Sequence, residues 1–151
     1  MAPKKVIVAS LPFDFEPDAL AVAQAVGGGV READPRLEVV VAPLDRQAGW
    51  EQALAALPSA RAVVLCEPTL CAELAPTAAF RFGQEARQRG VAAYAVTAAA
   101  QPNRFYARII DLQLVLTAAG RAALRGAGRS VGRAAAQGLE LAGELPGRLD
   151  R

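Results

Sequence analysis

Five short apolar runs, each closed by a polar residue and separated by stretches of helical pattern, leave this chain very few architectures. Val6-Ile7-Val8-Ala9 leads to Asp14, Val39-Val40-Val41-Ala42 leads to Asp45, and Ala62-Val63-Val64-Leu65-Cys66 runs directly into Glu67. Tyr94-Ala95-Val96 ends at Thr97, and Leu112-Gln113-Leu114-Val115-Leu116 ends at Thr117. Strands this apolar are buried on both faces, as in a parallel sheet covered by helices. The expected fold is a three-layer α/β/α sandwich with a mostly parallel five-stranded sheet, Rossmann-like or flavodoxin-like, with right-handed crossovers. One domain spans residues 1–145, and 146–151 form a frayed tail. A parallel sheet gathers the carboxyl ends of its strands on one rim, where open α/β sheets bind ligands. Asp14, Asp45 and Glu67 are therefore expected on that rim, and they converge only if their strands are near neighbours.

Along the chain, Val6–Ala9 is the first strand, closed by Pro12. A helix begins at Asp18, or at Glu16 just before Pro17, because proline suits a first turn. Leu20, Val22, Val26 and Val30 mark its apolar face, and it stops near Asp34-Pro35. Gly27-Gly28-Gly29 lies inside it without the G-x-G-x-x-G spacing of a phosphate loop. It reads as a thinned face admitting a close neighbour, or as a weak helix end. Leu37–Ala42 is the second strand, Trp50–Leu57 a short helix and Ala62–Cys66 the third strand. A helix running from Leu74 or Pro76 to Arg89 stops at Gly90 in a left-handed conformation. Val91–Val96 is the fourth strand, Pro102–Arg108 a loop or single turn, Leu112–Leu116 the fifth strand, and Gly120 to about Leu141 the last helix.

The absence of histidine removes Ser-His-Asp and Cys-His catalysis and deprives a zinc site of its usual nitrogen ligand. Lys4 and Lys5 are the only lysines, so no Walker-loop or Schiff-base lysine lies inside the fold. A net charge of +2 and 5% aromatic residues argue against nucleic-acid binding. No run approaches the ~20 apolar residues that span a bilayer, and Asp14, Glu16 and Asp18 interrupt any signal-peptide pattern. A cytoplasmic location is expected. Cys66 and Cys71 are then two small residues in a reducing compartment.

Of the three acids, Asp45 and Glu67 are candidate Mg²⁺ ligands, and all three are candidates for a general base or for holding ligand hydroxyls. Acids also commonly cap the helix that follows a strand, a reading that suits Asp14 and Asp45 better than Glu67. Thr97 ends the fourth strand, and Asn103, Arg104, Tyr106 and Arg108 follow it on the same rim, where Thr97, Asn103, Arg104 and Arg108 are candidate ligand contacts and an arginine reaches phosphate or carboxylate. Arg121, Arg125, Arg129 and Arg133 recur every four residues with no acid between Ala118 and Gln137, a pattern expected of a solvated outer face. Phe80 and Phe82 cannot share one helix face, so at least one meets a neighbouring element.

The stretch Gly90-Val91-Ala92-Ala93-Tyr94-Ala95-Val96-Thr97, followed by Phe105-Tyr106-Ala107-Arg108-Ile109-Ile110-Asp111 and the fifth strand, resembles the C-terminal end of bacterial glycerate kinases. Val6–Ala9 with Phe13, then Val39–Val41 and Pro43-Leu44-Asp45, is similar to that family's first βαβ unit. Glu67 with Leu70 is similar to its G-E-G-x-x-D segment. The family's large middle portion has no counterpart. Leu11-Pro12-Phe13-Asp14 stands where the family has D-S-F-K, and Asp45-Arg46-Gln47-Ala48-Gly49 where it has D-G-G-E-G. Cys66-Glu67-Pro68-Thr69-Leu70-Cys71 keeps only the glutamate of the third segment, and Pro68 removes a backbone donor. The resemblance therefore implies a reduced glycerate-kinase-like domain without kinase activity, since phosphoryl transfer relies on positioned cations and metal. Such a domain would bind a small anionic metabolite or act as a regulatory or interaction module. The alternative it implies is a minimal or split glycerate kinase using Mg²⁺ and ATP, with a companion chain. Self-association through the Ala/Gly-rich helices is a third reading.

Overall fold

A computed structural model of the chain describes residues 4–69, 77–98 and 104–144. Five strands, β1 (Lys4–Ser10), β2 (Leu37–Pro43), β3 (Ala60–Glu67), β4 (Ala92–Thr97) and β5 (Leu112–Thr117), form one sheet in the order β2-β1-β3-β4-β5. Every pairing in it is parallel. The helices are α1 (Ala19–Ala33), α2 (Gln47–Ala56), α3 (Ala78–Gln88), α4 (Arg104–Ile110) and α5 (Arg121–Glu144), with a single 3₁₀ turn at Leu57–Ser59. Among the described residues no helix is long and apolar enough to cross a membrane.

The period-two alternation of the strands divides the core into two apolar layers. Val6, Val8, Val64, Cys66 and Val96 face α1 and α5. Ile7, Ala9, Val63, Leu65, Ala93 and Ala95 face α2, α3 and α4. This parity fixes the aim of the residues that end the strands. Glu67 continues the Val63–Leu65 series and Thr97 the Ala93–Ala95 series, so both point toward the layer of α3 and α4. They are also direct register partners.

Local chemistry explains most of the helix ends. Asp18 caps α1, its carboxylate accepting from the Leu20 N–H at 3.0 Å, and the helix stops at extended Asp34 just before Pro35. Thr77 caps α3, its hydroxyl accepting from the Phe80 N–H at 3.1 Å. The helix ends as expected at Gly90, whose φ of 69° belongs to the left-handed region. The proposed starts at Leu74 or Pro76 lie outside the described residues, as do Pro102 and the tail 146–151.

One expectation is corrected and another is extended. The segment after β4 is not a loop or single turn but the two-turn helix α4. Its reason is tertiary, because Tyr106 and Ile110, four residues apart, both bury themselves in the α3 layer. The arginine stripe of α5 is exposed, as expected, but three of its members are not left to solvent alone, because acids reach them from far away in sequence. Arg121 binds Glu16 at 3.1 Å and donates to the Phe15 carbonyl, while Arg125 and Arg129 both grip Glu32 of α1.

The glycine triplet proves to be the thinned face. A Cβ at Gly29 would stand 2.1 Å from the Arg125 carbonyl oxygen, and one at Gly128 would stand 2.1 Å from that of Val26. The backbones of α1 and α5 therefore touch, which only hydrogen at these Cα positions allows.

Candidate functional site

Glu67 ends the central strand β3 and is 1% exposed. A carboxyl taken this far out of water must be hydrogen-bonded or neutral. Two hydroxyls reach it, and both go to the same oxygen. Tyr106 of α4 donates to Glu67 Oε2 at 2.5 Å, and Thr77, the cap of α3, donates to Oε2 at 3.0 Å. Glu67 Oε1 is buried without a hydrogen-bond partner. Thr97, beside it on β4, donates from Oγ1 to the Pro68 carbonyl at 3.2 Å. The Tyr106 ring is held in turn by an edge-on contact with Phe80, centroids 4.7 Å apart. Phe82, on another side of α3, meets Trp50 of α2.

Burial pushes the Glu67 carboxyl up to about 7, against the lowering effect of the Tyr106 and Thr77 hydrogen bonds. Burial and the neighbouring carboxylate push the Tyr106 hydroxyl well above its ordinary range. The Cys66 thiol is raised for the same two reasons, so it stays protonated and is no nucleophile. The cluster thus holds one group that titrates near neutrality, within a shell of groups that do not.

The other sequence candidates are placed differently. Asp45 follows β2 and lies in a cleft of about 360 Å³ with Leu44, Trp50 and Ala78 on its walls and Arg46 and Arg81 at its edge. Asp14 is exposed in the β1–α1 loop. The three acids occupy the rims of adjacent strands, as expected, but among the described residues no group of three or more His, Cys, Asp or Glu side chains comes together. Arg104 opens α4, Arg108 is exposed on it, and Asn103 lies outside the described residues. Tyr106 was placed on this rim from sequence, though not as a partner of Glu67, and Thr77 was not singled out at all. A threonine directly before Ala-Ala-Phe has the composition of a cap, and Tyr106 with Ile110 has helical spacing, but neither signal by itself points to Glu67.

The β1–α1 loop decides which ligands the fold's switch point, between β1 and β3, can take. Most of its backbone donors are already engaged. The N–H of Leu11 goes to the Cys66 carbonyl, Phe13 and Glu16 bond each other's backbones, and the Asp18 N–H goes to Glu16 Oε1. Pro12 and Pro17 have no N–H to give. Ser10 is fully buried and donates to the Leu11 carbonyl. Asp14, Glu16 and Asp18 add three carboxyls to the same loop. Three acids and two prolines make this loop a poor cradle for the phosphate of a flavin mononucleotide.

The sheet order and helix layers define the flavodoxin-like fold. Solved structures agree. A flavodoxin-like domain from Synechococcus superposes with a TM-score of 0.58 at 18% identity, covering 89% of this chain and 98% of its own. A putative pilus assembly-related protein from Burkholderia pseudomallei gives 0.57 at 20% identity over 89% and 90%. The diflavin flavoprotein A3 from Nostoc gives 0.53 at 14% identity over 93% and 99%. No protein-family model and no curated protein matches the chain.

These neighbours overturn the glycerate-kinase resemblance, and with it the reduced-kinase reading and its minimal or split-kinase alternative. The physical reason lies in what the matching stretches are. Gly90–Thr97 and Leu112–Leu116 became β4, a buried strand, and β5, the half-buried edge strand beside it, whose apolar composition any sheet of this kind would select. Phe105–Ile110 became α4. The shared letters encode scaffold, and Glu67, the one shared acid of the third segment, is turned into the core.

Proposed function

We propose that this chain is a receiver-like relay domain, with the Glu67 cluster as its working site and α4 as the element that carries its state outward. The 2-1-3-4-5 order serves both flavin carriers and signal-receiver domains, and the acidic, donor-poor β1–α1 loop favours the second. The observation that carries the reading is the 2.5 Å hydrogen bond from Tyr106 to Glu67. It ties the end of the central strand to a helix of only two turns. A buried polar cluster of this kind is strongly coupled, so a change at Glu67 is felt by each partner.

Two measurements test this. In amide NMR spectra, Glu67→Gln should shift resonances of residues 104–110 and of the start of α3, while leaving α1 and α5, beyond the sheet, nearly unchanged. Shifts confined to the immediate neighbours of residue 67 would refute a relay. Titration with flavin mononucleotide should leave the flavin spectrum unaltered. Stoichiometric binding would restore the electron-carrier reading.

A further inference from the structure

We propose that the signal read at Glu67 is a proton: the neutral carboxyl keeps α4 docked, and its ionisation releases the helix. This rests on the relay reading and names its input. The argument begins with the asymmetry of the carboxyl group. Oε2 takes both hydroxyl donors, while Oε1, buried with it, takes none. Ionised, the group leaves a bare oxygen of a charged carboxylate out of water. Neutral, it leaves at most an unpaired O–H. The first costs far more than the second.

Among the described residues the surroundings offer no compensating cation. β3 itself contributes Cys66, β4 contributes Thr97, α3 contributes Thr77 and Phe80, and α4 contributes Tyr106. Only Cys66 and Tyr106 among these titrate, and both are pushed upward, so they stay neutral throughout the range in which Glu67 changes charge. Among the described residues no lysine or arginine acts on the Glu67 carboxyl.

Relief on ionisation comes from water reaching Oε1, and α4 is the wall most readily moved. It has seven residues. Tyr106 and Ile110 anchor it in the core, and Arg87 of α3 holds its end by donating to the carbonyls of Arg108 and Ile109 at 2.9 Å each. The neighbouring α3 is anchored more broadly, through Ala79, Phe80, Phe82 and Ala86. The proton lost on ionisation goes to solvent, and the Tyr106 hydroxyl exchanges its carboxylate partner for water as α4 lifts. By linkage, a docked state that holds the proton up to about pH 7, against an open state near the ordinary 4.5, opens more as the pH rises.

Hydrogen exchange of amides 104–110, corrected for intrinsic rates, together with carbon NMR of the Glu67 carboxyl, tests the proposal on the intact chain. Opening should increase about tenfold between about pH 6 and pH 8.5, with the carboxyl titrating near neutrality. Glu67→Gln should abolish the pH dependence. Tyr106→Phe, which removes one donor to the ionised form, should move the wild-type midpoint to higher pH. A carboxyl titrating in the ordinary range, or α4 protection that is flat with pH in the wild type, overturns the proton input. If Glu67→Gln still perturbs α4 in that case, the relay stands and only its input is wrong. If it does not, the relay fails as well.

Discussion

Glu67 is the residue at which fold and chemistry pull in opposite directions. The strand places it by parity in the α3–α4 layer, and burial there raises its carboxyl from 4.5 to about 7. The sign of the consequence follows. Below about pH 4.5 the group is neutral in both folded and unfolded chains and has no effect. Between about 4.5 and 7 the unfolded chain ionises first, so stability falls as the pH rises. Above that window the penalty is complete, about 3 kcal/mol if the cluster stays closed. Tyr106→Phe should deepen the loss above pH 7 by about 1.5–3 kcal/mol, the worth of a hydrogen bond to a charged group, and change little near pH 5. Urea denaturation at the two pH values checks this. A loss of equal size at both would mean that the hydroxyl matters only for packing. Glu67 and Thr97 were legible in the sequence as the residues that end their strands; that both turn into the α3–α4 layer shows only once the strands have faces. Tyr106 was legible as a residue of the same rim, but its bond to Glu67 and that of Thr77 were not, since they cross 39 and 10 residues of chain and nothing local encodes that meeting.

At the scale of elements, α1 and α5 show how a sequence weakness becomes a packing device. Three glycines in a row should weaken a helix, yet they sit where a second helix presses on them. The two faces of the triplet behave differently. Gly29→Ala drives a Cβ into the α5 backbone and should cost about 1–3 kcal/mol or more through overpacking. Gly28→Ala meets only the Arg125 side chain, at 3.7 Å, and should be neutral or stabilising by up to about 1 kcal/mol from better helix propensity. Thermal melts of the two variants separate these cases, and equal melting temperatures would show that the contact is not rigid. The glycines announced a close neighbour without naming it. The arginine stripe was read as exposed, but its partners were missed for the matching reason, since Glu16 and Glu32 lie roughly a hundred residues before it. Helix α4 shows the opposite failure, because its local pattern was too short to count as a helix and only burial of Tyr106 and Ile110 makes it one.

At the scale of the whole molecule, strand existence and the parallel sheet were readable because apolar runs without alternation have few other fates. Strand order was not readable, because nothing in β1, β2 or β3 says which lies in the middle. The kinase resemblance failed at this scale too, since it weighed scaffold letters as though they were site letters. The order has β1 between β2 and β3, so the centre of the sheet can pair as soon as Glu67 has been synthesised. The first apolar layer cannot be finished then. Its cover includes Leu124, Val131 and Ala135 of α5. A nascent chain therefore carries an assembled sheet with one greasy flank unsealed until the last helix leaves the ribosome. That interval, rather than the finished protein, is when this sequence is most exposed to wrong partners.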